Sequence, residues 1–344
     1  MRQQFLSDNN AGMCGEAIEA LIAENAVGHA IGYGDDETTK KAQRAVADLF
    51  ETDCSVFFVF NGTSANALAL AQLCQPYNAV IAHGFSHVQW DEANAVGFFG
   101  GGASQLTIDT PAAKLTLEAA EEKATVFEGV HHVKVNALTL TQATELGTIY
   151  SLDELAAFGE LAQRHKLRFH MDGARFANAM ATLETTPAEM SWRCGVDVLS
   201  FGGVKNGLAV GECVVFFDKS LAQEFEWRRK QGGQLNSKMR FVSAPWLALI
   251  EDGVWLRNAR HANAMAKHLA AGLLAIDGVA LMHPVEANGV FVYLPEGLQQ
   301  GLREKGWQFY TFVPPTGCRL MCAWDTSQET VDAFLADVHV VAGC

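Results

Sequence analysis

The sequence is short of basic residues and contains no basic run. Its 344 residues include 25 Lys and Arg against 39 Asp and Glu, which gives a formal net charge of −14 at pH 7. Phosphate backbones and anionic lipid headgroups repel such a chain unless its cations are concentrated in one place. The composition therefore argues against nucleic acid and against membrane surfaces as partners.

Long apolar runs are also missing. The longest stretches, such as LAVGECVVFF at 208–217, are far shorter than the roughly 20 residues of a membrane-spanning helix, and this one contains a glutamate. The first ten residues, MRQQFLSDNN, have no apolar segment, so we expect no signal peptide.

The eight cysteines form no recognisable metal-binding framework. Cys318 and Cys322 lie four residues apart, but no second pair or neighbouring histidine completes a zinc site. Free thiols scattered through a long chain are typical of a reducing compartment. We therefore expect a cytoplasmic protein that holds no metal ion.

The chain does contain enough apolar material for a large interior, with 49% hydrophobic and 19% charged residues. Short apolar runs alternate with helix-length segments, and this alternation predicts an α/β fold with a mostly parallel sheet. The clearest helix is 151–166, with Ser151 as its N-cap and Glu154 as the capping-box partner. The predicted strands are 55–60, 78–83, 104–110, 133–140, 167–172, 196–201 and 211–217.

The pattern changes after about residue 240. A helical run over 246–275 leads into shorter strand-like segments, one further helical segment and a last helix near 327–340. At about 150 residues per domain, the length also favours two domains. We expect a large α/β domain over residues 1–245 and a smaller α+β domain over 246–344.

Polar residues follow three of the predicted strands, where open α/β sheets bind ligands. Gly62 and Thr63 begin a helix whose free N–H groups suit a phosphate, although an ordinary N-cap has the same residues. Asp172 ends a buried strand, where it either has a charged partner or caps the next helix. Lys205 lies among glycines in an apolar setting that would lower its pKa; a lysine in a surface turn is the alternative.

Together, the three places suit pyridoxal phosphate. The helix start would hold the phosphate, Lys205 would form a Schiff base, and Asp172 would keep the ring nitrogen protonated. Asp172 and Lys205 are one strand–helix unit apart in the sequence, so adjacent strands could present both side chains to one ring.

Six motifs occur in order along the chain, and with Arg319 they cover nearly its whole length. They are SDNNAG (7–12), YGDD (33–36), NGTSAN (61–66), TQATELGTIY (141–150), HMDGAR (170–175) and SFGGVKNG (200–207). This set resembles the low-specificity L-threonine aldolases. These enzymes belong to the β-eliminating-lyase-like branch of the fold-type I, aspartate aminotransferase-like, enzymes that depend on pyridoxal phosphate.

The resemblance implies which residues bind the cofactor. The Schiff-base lysine falls on Lys205, and the partner of the ring nitrogen falls on Asp172. The phosphate contacts fall on Gly62 and Thr63, with Arg229 or Lys230 as a further contact. The histidine stacked on the ring falls on His87. The contact from Arg229 or Lys230 could reach across a subunit boundary.

The resemblance also implies which residues bind the substrate. Its carboxylate would be held by Ser7, Arg175 and Arg319, and a guanidinium fork suits a carboxylate. A second active-site histidine falls on His131.

Two questions about the histidines remain open. His132 is adjacent to His131, so a shift of one residue is an alternative. Either His87 or His131 would be the base that acts on the substrate hydroxyl, since imidazole titrates near neutral pH.

The implied activity is that of a carbon–carbon lyase, or aldehyde-lyase. It would cleave L-threonine, L-allo-threonine and related β-hydroxy-α-amino acids to glycine and an aldehyde by a retro-aldol reaction. The family also implies a homodimer or homotetramer with shared active sites. The alternatives are another lyase or an aminotransferase of the same fold, or a protein that binds pyridoxal phosphate without turnover.

Overall fold

The computed structural model describes residues 4–127 and 129–343. Two short 3₁₀ turns, Asp8–Asn10 and Val204–Asn206, contribute to the site described below. The helices are α1 (Gly15–Ala26), α2 (Glu37–Leu49), α3 (Gly62–Leu73), α4 (His87–Trp90), α5 (Ala95–Phe99), α6 (Leu117–Thr125), α7 (Leu152–His165), α8 (Phe176–Leu183), α9 (Phe225–Gln231), α10 (Arg240–Ile250), α11 (Val254–Leu273), α12 (Glu296–Glu304) and α13 (Gln328–Ala342).

The strands form two sheets. They are β1 (Ser55–Val59), β2 (Asn78–His83), β3 (Ser104–Ile108), β4 (Lys134–Thr141), β5 (Arg168–Gly173), β6 (Val198–Phe201), β7 (Glu212–Phe216), β8 (Ala280–Leu281), β9 (Gly289–Tyr293), β10 (Tyr310–Val313) and β11 (Gly317–Met321). The larger sheet has the order β1-β7-β6-β5-β4-β2-β3. Strands β2 to β6 pair in parallel, and β7 is antiparallel to β6 and β1. The predicted α/β fold is confirmed, and each of its seven predicted strands is present.

Local sequence explains the helices that cover this sheet. At the start of α7, Ser151 accepts the N–H of Glu154, and the Glu154 side chain accepts the N–H of Ser151, as predicted. Most of α3 is buried, because its small and apolar side chains, in the run ANALALAQL, pack close to the strands. This packing fixes the first turn of α3 at the end of β1.

The helical run predicted over 246–275 is two helices, so the prediction of one long helix is wrong. The first, α10, ends at Ile250, and α11 begins at Val254. Between them Asp252 and Gly253 have φ values of 56° and 64°. Those left-handed values end an α-helix.

The smaller sheet has the order β10-β11-β9-β8. Its core includes Phe5, from the start of the chain, packed with Trp307 and Phe334. Helix α11 contributes to both cores, because Trp255 packs with the larger sheet and Ala266 with the smaller one. The expected domain boundary at residue 245 falls within α10, and it stays a prediction.

The strand directions bring several loops to one edge of the larger sheet. Strands β2 to β6 are parallel, so their carboxyl ends meet there. Strand β1 also ends at this edge, and the antiparallel β7 begins there. Residues that follow β1, β2, β4, β5 and β6, together with the first residue of β7, are therefore neighbours.

Two further observations concern the described part of the chain. Its seven cysteines are free thiols, and the eighth, Cys344, lies outside it. Within residues 4–127 and 129–343, no helix combines the length and apolar character that crossing a bilayer requires.

Candidate active site

A cavity of about 340 Å³ opens at this edge of the larger sheet. It receives side chains or backbone from five of the strand ends, which are far apart in the sequence. Six of the predicted site residues line it: Gly62, Thr63, His87, Asp172, Arg175 and Lys205. The remaining five, Ser7, His131, Arg229, Lys230 and Arg319, are not among its lining residues.

Asp172 lies near the end of β5 with only 3% of its surface exposed. Asn66 Nδ2 donates to its Oδ2 over 2.8 Å, and the backbone N–H of Ala174 donates to its Oδ1 over 2.9 Å. A buried carboxylate requires such donors. Because each carboxylate oxygen can accept a further hydrogen bond, Asp172 can still accept one from a protonated ring nitrogen in the cavity.

Lys205 lies in the 3₁₀ turn between β6 and β7. The glycines beside it allow close packing: a Cβ on Gly203 would lie 2.6 Å from the Trp246 ring, and Gly207 has a φ of 113°. Burial lowers the pKa of the Lys205 amine, and the charge of Arg175 lowers it further. A lysine whose pKa is lowered is a better nucleophile at neutral pH, because more of it is uncharged.

Glu212 is the acidic residue that shares this part of the cavity with Lys205. It is the first residue of β7 and is buried, and its Oε2 accepts the backbone N–H of Gly203. Burial raises the pKa of Glu212 to about 7, although the nearby Lys205 charge lowers it. Glu212 therefore fixes the backbone of the lysine turn and places a titratable carboxyl near Lys205.

The start of α3 has the properties of an anion-binding turn. Asn61 caps the helix by accepting the N–H of Ser64 over 2.9 Å. The N–H groups of Gly62 and Thr63 have no hydrogen-bond partner in the described part of the chain. A Cβ on Gly62 would meet no atom within 4 Å. Free donors and open space at a helix N-terminus fit a phosphate group.

The two predicted additional phosphate contacts lie outside the cavity lining. Arg229 is buried on α9, with its guanidinium 5.3 Å from the Phe57 ring, and its Nε has no partner in the described residues. Lys230 is exposed, and its Nζ lies 4.9 Å above the Tyr33 ring. Of these two cations, Arg229 is the one with an unsatisfied buried donor.

His87 belongs to a chain of hydrogen bonds that ends at Asp172. Its Nδ1 lies 2.7 Å from Glu92 Oε1, and the same oxygen accepts from Asn66 Nδ2 over 2.9 Å. Asn66 also donates to Asp172. The hydrogen bond to Glu92 raises the pKa of His87. His87 is thus held in one orientation at the cavity wall and carries a proton more readily than a free histidine.

The two predicted carboxylate-binding arginines have different surroundings. Arg175 donates to the buried Asp8 through Nε and Nη2, over 2.7 and 3.0 Å, so that edge of its guanidinium is already occupied. Arg319 has a buried Nε without a partner among the described residues, and its guanidinium lies 5.0 Å from the Tyr310 ring. Ser7 caps the first 3₁₀ turn by accepting the N–H of Asn9, and its neighbour Asp8 contacts Arg175.

A narrow crevice beside the cavity brings these arginines together. It is lined by Arg175 and Arg319 together with Asn288 and Glu145. Arg319 thus lies at the crevice, next to the cavity rather than in it. The crevice therefore places both guanidinium groups beside the cavity.

His131, the predicted second active-site histidine, does not line the cavity of its own chain, and its role in a shared site stays a prediction. His131 is exposed and precedes β4, whereas the cavity lies at the other end of that strand. A strand rises about 3.3 Å per residue. His131 is ten residues before Thr141, so it lies far from the cavity. His132, the alternative, stacks on Phe127 instead, with ring centroids 5.2 Å apart.

Several residues of the site escaped the sequence analysis: Asp8, Asn66, Glu92, Glu145 and Glu212. Asp8, Asn66 and Glu145 stand inside motifs that the analysis used, and Asp8 is adjacent to Ser7, which it chose. The sequence marked these three only as polar residues within a motif. A polar residue in a motif does not indicate which other residues it contacts in the fold.

The groups around the cavity fit pyridoxal phosphate: unsatisfied backbone donors for its phosphate, a buried carboxylate for its ring nitrogen, and a buried amine. The architecture and this edge of the sheet define the class of protein, a fold-type I enzyme dependent on pyridoxal phosphate. The family within that class follows from comparison with known proteins.

A sequence model described as beta-eliminating lyase matches residues 4–296, and the chain belongs to this family. A low-specificity L-threonine aldolase of a Pseudomonas species is 50% identical over 98% of this chain and 98% of its own. Another, of Pseudomonas aeruginosa, is 50% identical over 99% and 98%. The structure of Leishmania major threonine aldolase has a TM-score of 0.93 and 27% identity, covering 98% of this chain and 99% of its own. These findings confirm the predicted resemblance.

Proposed function

We propose that this protein is a carbon–carbon lyase that cleaves L-threonine, L-allo-threonine and related β-hydroxy-α-amino acids to glycine and an aldehyde. The observation that carries the proposal is 50% identity, over nearly the full chain, to low-specificity L-threonine aldolases. The cavity supports it, because the crevice with its two arginines adjoins the part of the site that fits the cofactor.

In this proposal, the cofactor is held by the groups that fit it. Lys205 Nζ attaches it covalently, the N–H groups of Gly62 and Thr63 bind its phosphate, and Arg229 adds a contact through its unsatisfied Nε. When bound, pyridoxal phosphate withdraws electrons from the substrate Cα. Asp172 holds a proton at the ring nitrogen, which favours that withdrawal. His87 packs against the ring from the cavity wall.

The substrate is oriented by its carboxylate. Arg319 offers its unpartnered Nε, and Arg175 offers the part of its guanidinium that Asp8 does not occupy. Arginine suits this role because its planar fork fixes a carboxylate in one orientation. Two such contacts on one side and the cofactor on the other fix the direction of the Cα–Cβ bond, which is the bond that breaks.

We also propose that the chain works as a homodimer or homotetramer with shared sites, in the cytoplasm. Ile18 and Ile22 lie one turn apart on α1 and, with Ile31 and Tyr33, are between 45% and 69% exposed. A group of exposed apolar side chains marks an interaction surface. The free cysteines support a reducing compartment. Light scattering on the purified protein tests the oligomer, and a monomeric mass would contradict it.

The test of the activity is to mix the purified protein, loaded with pyridoxal phosphate, with L-threonine or L-allo-threonine. We expect acetaldehyde and glycine in equal amounts. A keto acid without glycine would indicate an aminotransferase, and bound cofactor without any product would indicate a binding protein. Lys205→Ala should abolish product, and Lys219→Ala, which removes an exposed lysine paired with Asp53, should not.

A further inference from the structure

Glu145 has one carboxylate oxygen fixed and the other free. It follows β4, and its Oε1 accepts from Thr141 Oγ1 over 2.8 Å and from the N–H of His87 over 2.9 Å. Its Oε2 is buried and has no hydrogen-bond partner in residues 4–127 and 129–343. A buried carboxylate oxygen without a partner is costly unless it serves a ligand.

Glu145 also lies between the two halves of the site. It lines both the cavity that contains Lys205 and Asp172 and the crevice that contains Arg175 and Arg319. A substrate with its carboxylate at the two arginines and its amino group toward Lys205 would place its Cα–Cβ bond beside this residue. The β-hydroxyl is the substituent that a carboxylate oxygen at this place can contact.

The other candidates for a base at this hydroxyl are poorly suited. His87 Nδ1 is already occupied by Glu92 Oε1 over 2.7 Å, and that hydrogen bond raises the pKa of the ring. Within its own chain, His131 lies at the opposite edge of the sheet. Asp91 lines the cavity but is exposed to solvent. Of the carboxylates that line the cavity, Glu145 is the one with a buried oxygen that has no hydrogen-bond partner in the described residues.

We propose that Glu145 is the catalytic residue that takes the proton from the substrate β-hydroxyl, an inference that rests on the proposed function. Glu145 Oε2 accepts the proton, and the electron pair of the O–H bond becomes the second C–O bond of the aldehyde. The Cα–Cβ bond breaks and its electron pair stays on Cα. Cα then gains one proton and Glu145 gives one up, so the products are glycine and the aldehyde with no net proton change.

The electrostatic surroundings of Glu145 agree with this role. Burial raises its pKa to about 7, and the negative charge of Asp172 adds to that effect. A base titrating near the working pH combines a large unprotonated fraction with a strong tendency to accept a proton. The same surroundings allow the carboxyl to give the proton up again.

The test is Glu145→Gln, which keeps an oxygen for Thr141 and His87 but replaces the accepting Oε2 by an amide nitrogen. We expect kcat for threonine cleavage to fall by about 10²–10⁴-fold, with KM changed less than threefold. The absorption spectrum and affinity of the bound cofactor should stay unchanged. Exchange of the glycine α-proton for deuterium should also continue, because glycine has no hydroxyl.

Two outcomes would overturn the inference. If cleavage and glycine exchange fell together, Glu145 would have a structural role. If neither fell, another group, such as Asp91, would be the base. Glu286→Gln is the matched control, because Glu286 accepts the N–H of Ile149 from the same loop and lies outside both linings; it should retain cleavage. Failure of the proposed function is seen separately, as wild-type protein that produces no aldehyde.

Discussion

Arg175 and Asp8 form a bidentate ion pair, with Nε and Nη2 of the guanidinium 2.7 and 3.0 Å from the two carboxylate oxygens. Asp8 is 1% exposed and also accepts from Asn288 Nδ2 over 3.0 Å. Burial alone would raise the pKa of Asp8, but the charges of Arg175 and Lys205 hold it at about 2. The pair links the 3₁₀ turn Asp8–Asn10 to the loop after β5, and it sets the direction of the arginine that we propose as a substrate contact.

Breaking this pair should destabilise the protein. Asp8→Asn leaves the Arg175 charge buried without its partner, which typically costs about 2–5 kcal/mol. Urea unfolding of the variant and the wild type measures the difference. Asp53→Asn is the control, because the Asp53–Lys219 pair is exposed and should contribute under about 1 kcal/mol. Equal losses of unfolding free energy in the two variants would show that the buried Asp8 pair contributes no more than the exposed Asp53 pair.

The pKa of Asp8 also predicts a pH dependence of stability. Its folded-state pKa, about 2, lies below the ordinary value of 3.8. The stabilisation is therefore fully present above pH 4 and is lost as pH falls through about 2. Because Asp8→Asn lacks this titration, the stability difference between wild type and variant should shrink as pH falls over that interval. A constant difference would contradict the assignment.

Substrate affinity should depend on the guanidinium of Arg319. Arg319→Lys keeps the charge but loses the planar fork, so KM for threonine should rise about 10–100-fold, given 1.5–3 kcal/mol for hydrogen bonds to charged groups. The affinity for pyridoxal phosphate should not change. Arg303→Lys is the matched control, since Arg303 also lies over an aromatic ring, Phe309, at 4.8 Å, and KM should stay near the wild-type value. An unchanged KM for Arg319→Lys would remove that residue from the substrate site.

The phosphate turn can be tested by filling its open space. A Cβ on Gly62 would meet no atom of the described residues within 4 Å, so Gly62→Ala should fold normally but obstruct the phosphate. We expect cofactor affinity to weaken about tenfold or more, from the loss of one charged hydrogen bond. Gly297→Ala, which introduces a Cβ into equally open space near the start of α12, should leave it unchanged. Equal affinities in both variants would place the phosphate elsewhere.

The pH profile of cleavage should reflect Glu145. Burial and the charge of Asp172 raise its pKa to about 7, and Arg175, His87 and Tyr150 are the other titratable residues near it. As a base it must be unprotonated, so kcat/KM should fall as pH decreases through about 7. Glu145→Gln should lack this acid limb. If kcat/KM of the variant fell in the same way below pH 7, the titrating group would be a different residue.

Much of the fold could be predicted because its signals are local. Each strand of the larger sheet is a short apolar run between turn residues, and Ser151 with Glu154 marks the start of α7. Gly62, Asp172 and Lys205 could be chosen because each lies at the end of such a run or shortly after it. Their residue types and positions were sufficient to predict the kind of cofactor.

The missed residues depend on strand direction and on loop paths. Glu212 begins a strand, which would place it at the far edge of a parallel sheet; it reaches the site because β7 is antiparallel. Glu145 reaches it through a loop whose path the sequence does not reveal. His131 lies far from the cavity of its own chain because the length of β4 separates the two, and its place in a shared site stays a prediction.

The most direct measurement of the central claim is to reduce the loaded protein with borohydride and map the modified peptide by mass spectrometry. The account predicts one pyridoxyl group, on Lys205, and its loss in Lys205→Ala without loss of folded structure. A pyridoxyl group on a different lysine, or unchanged labelling in the variant, would contradict it.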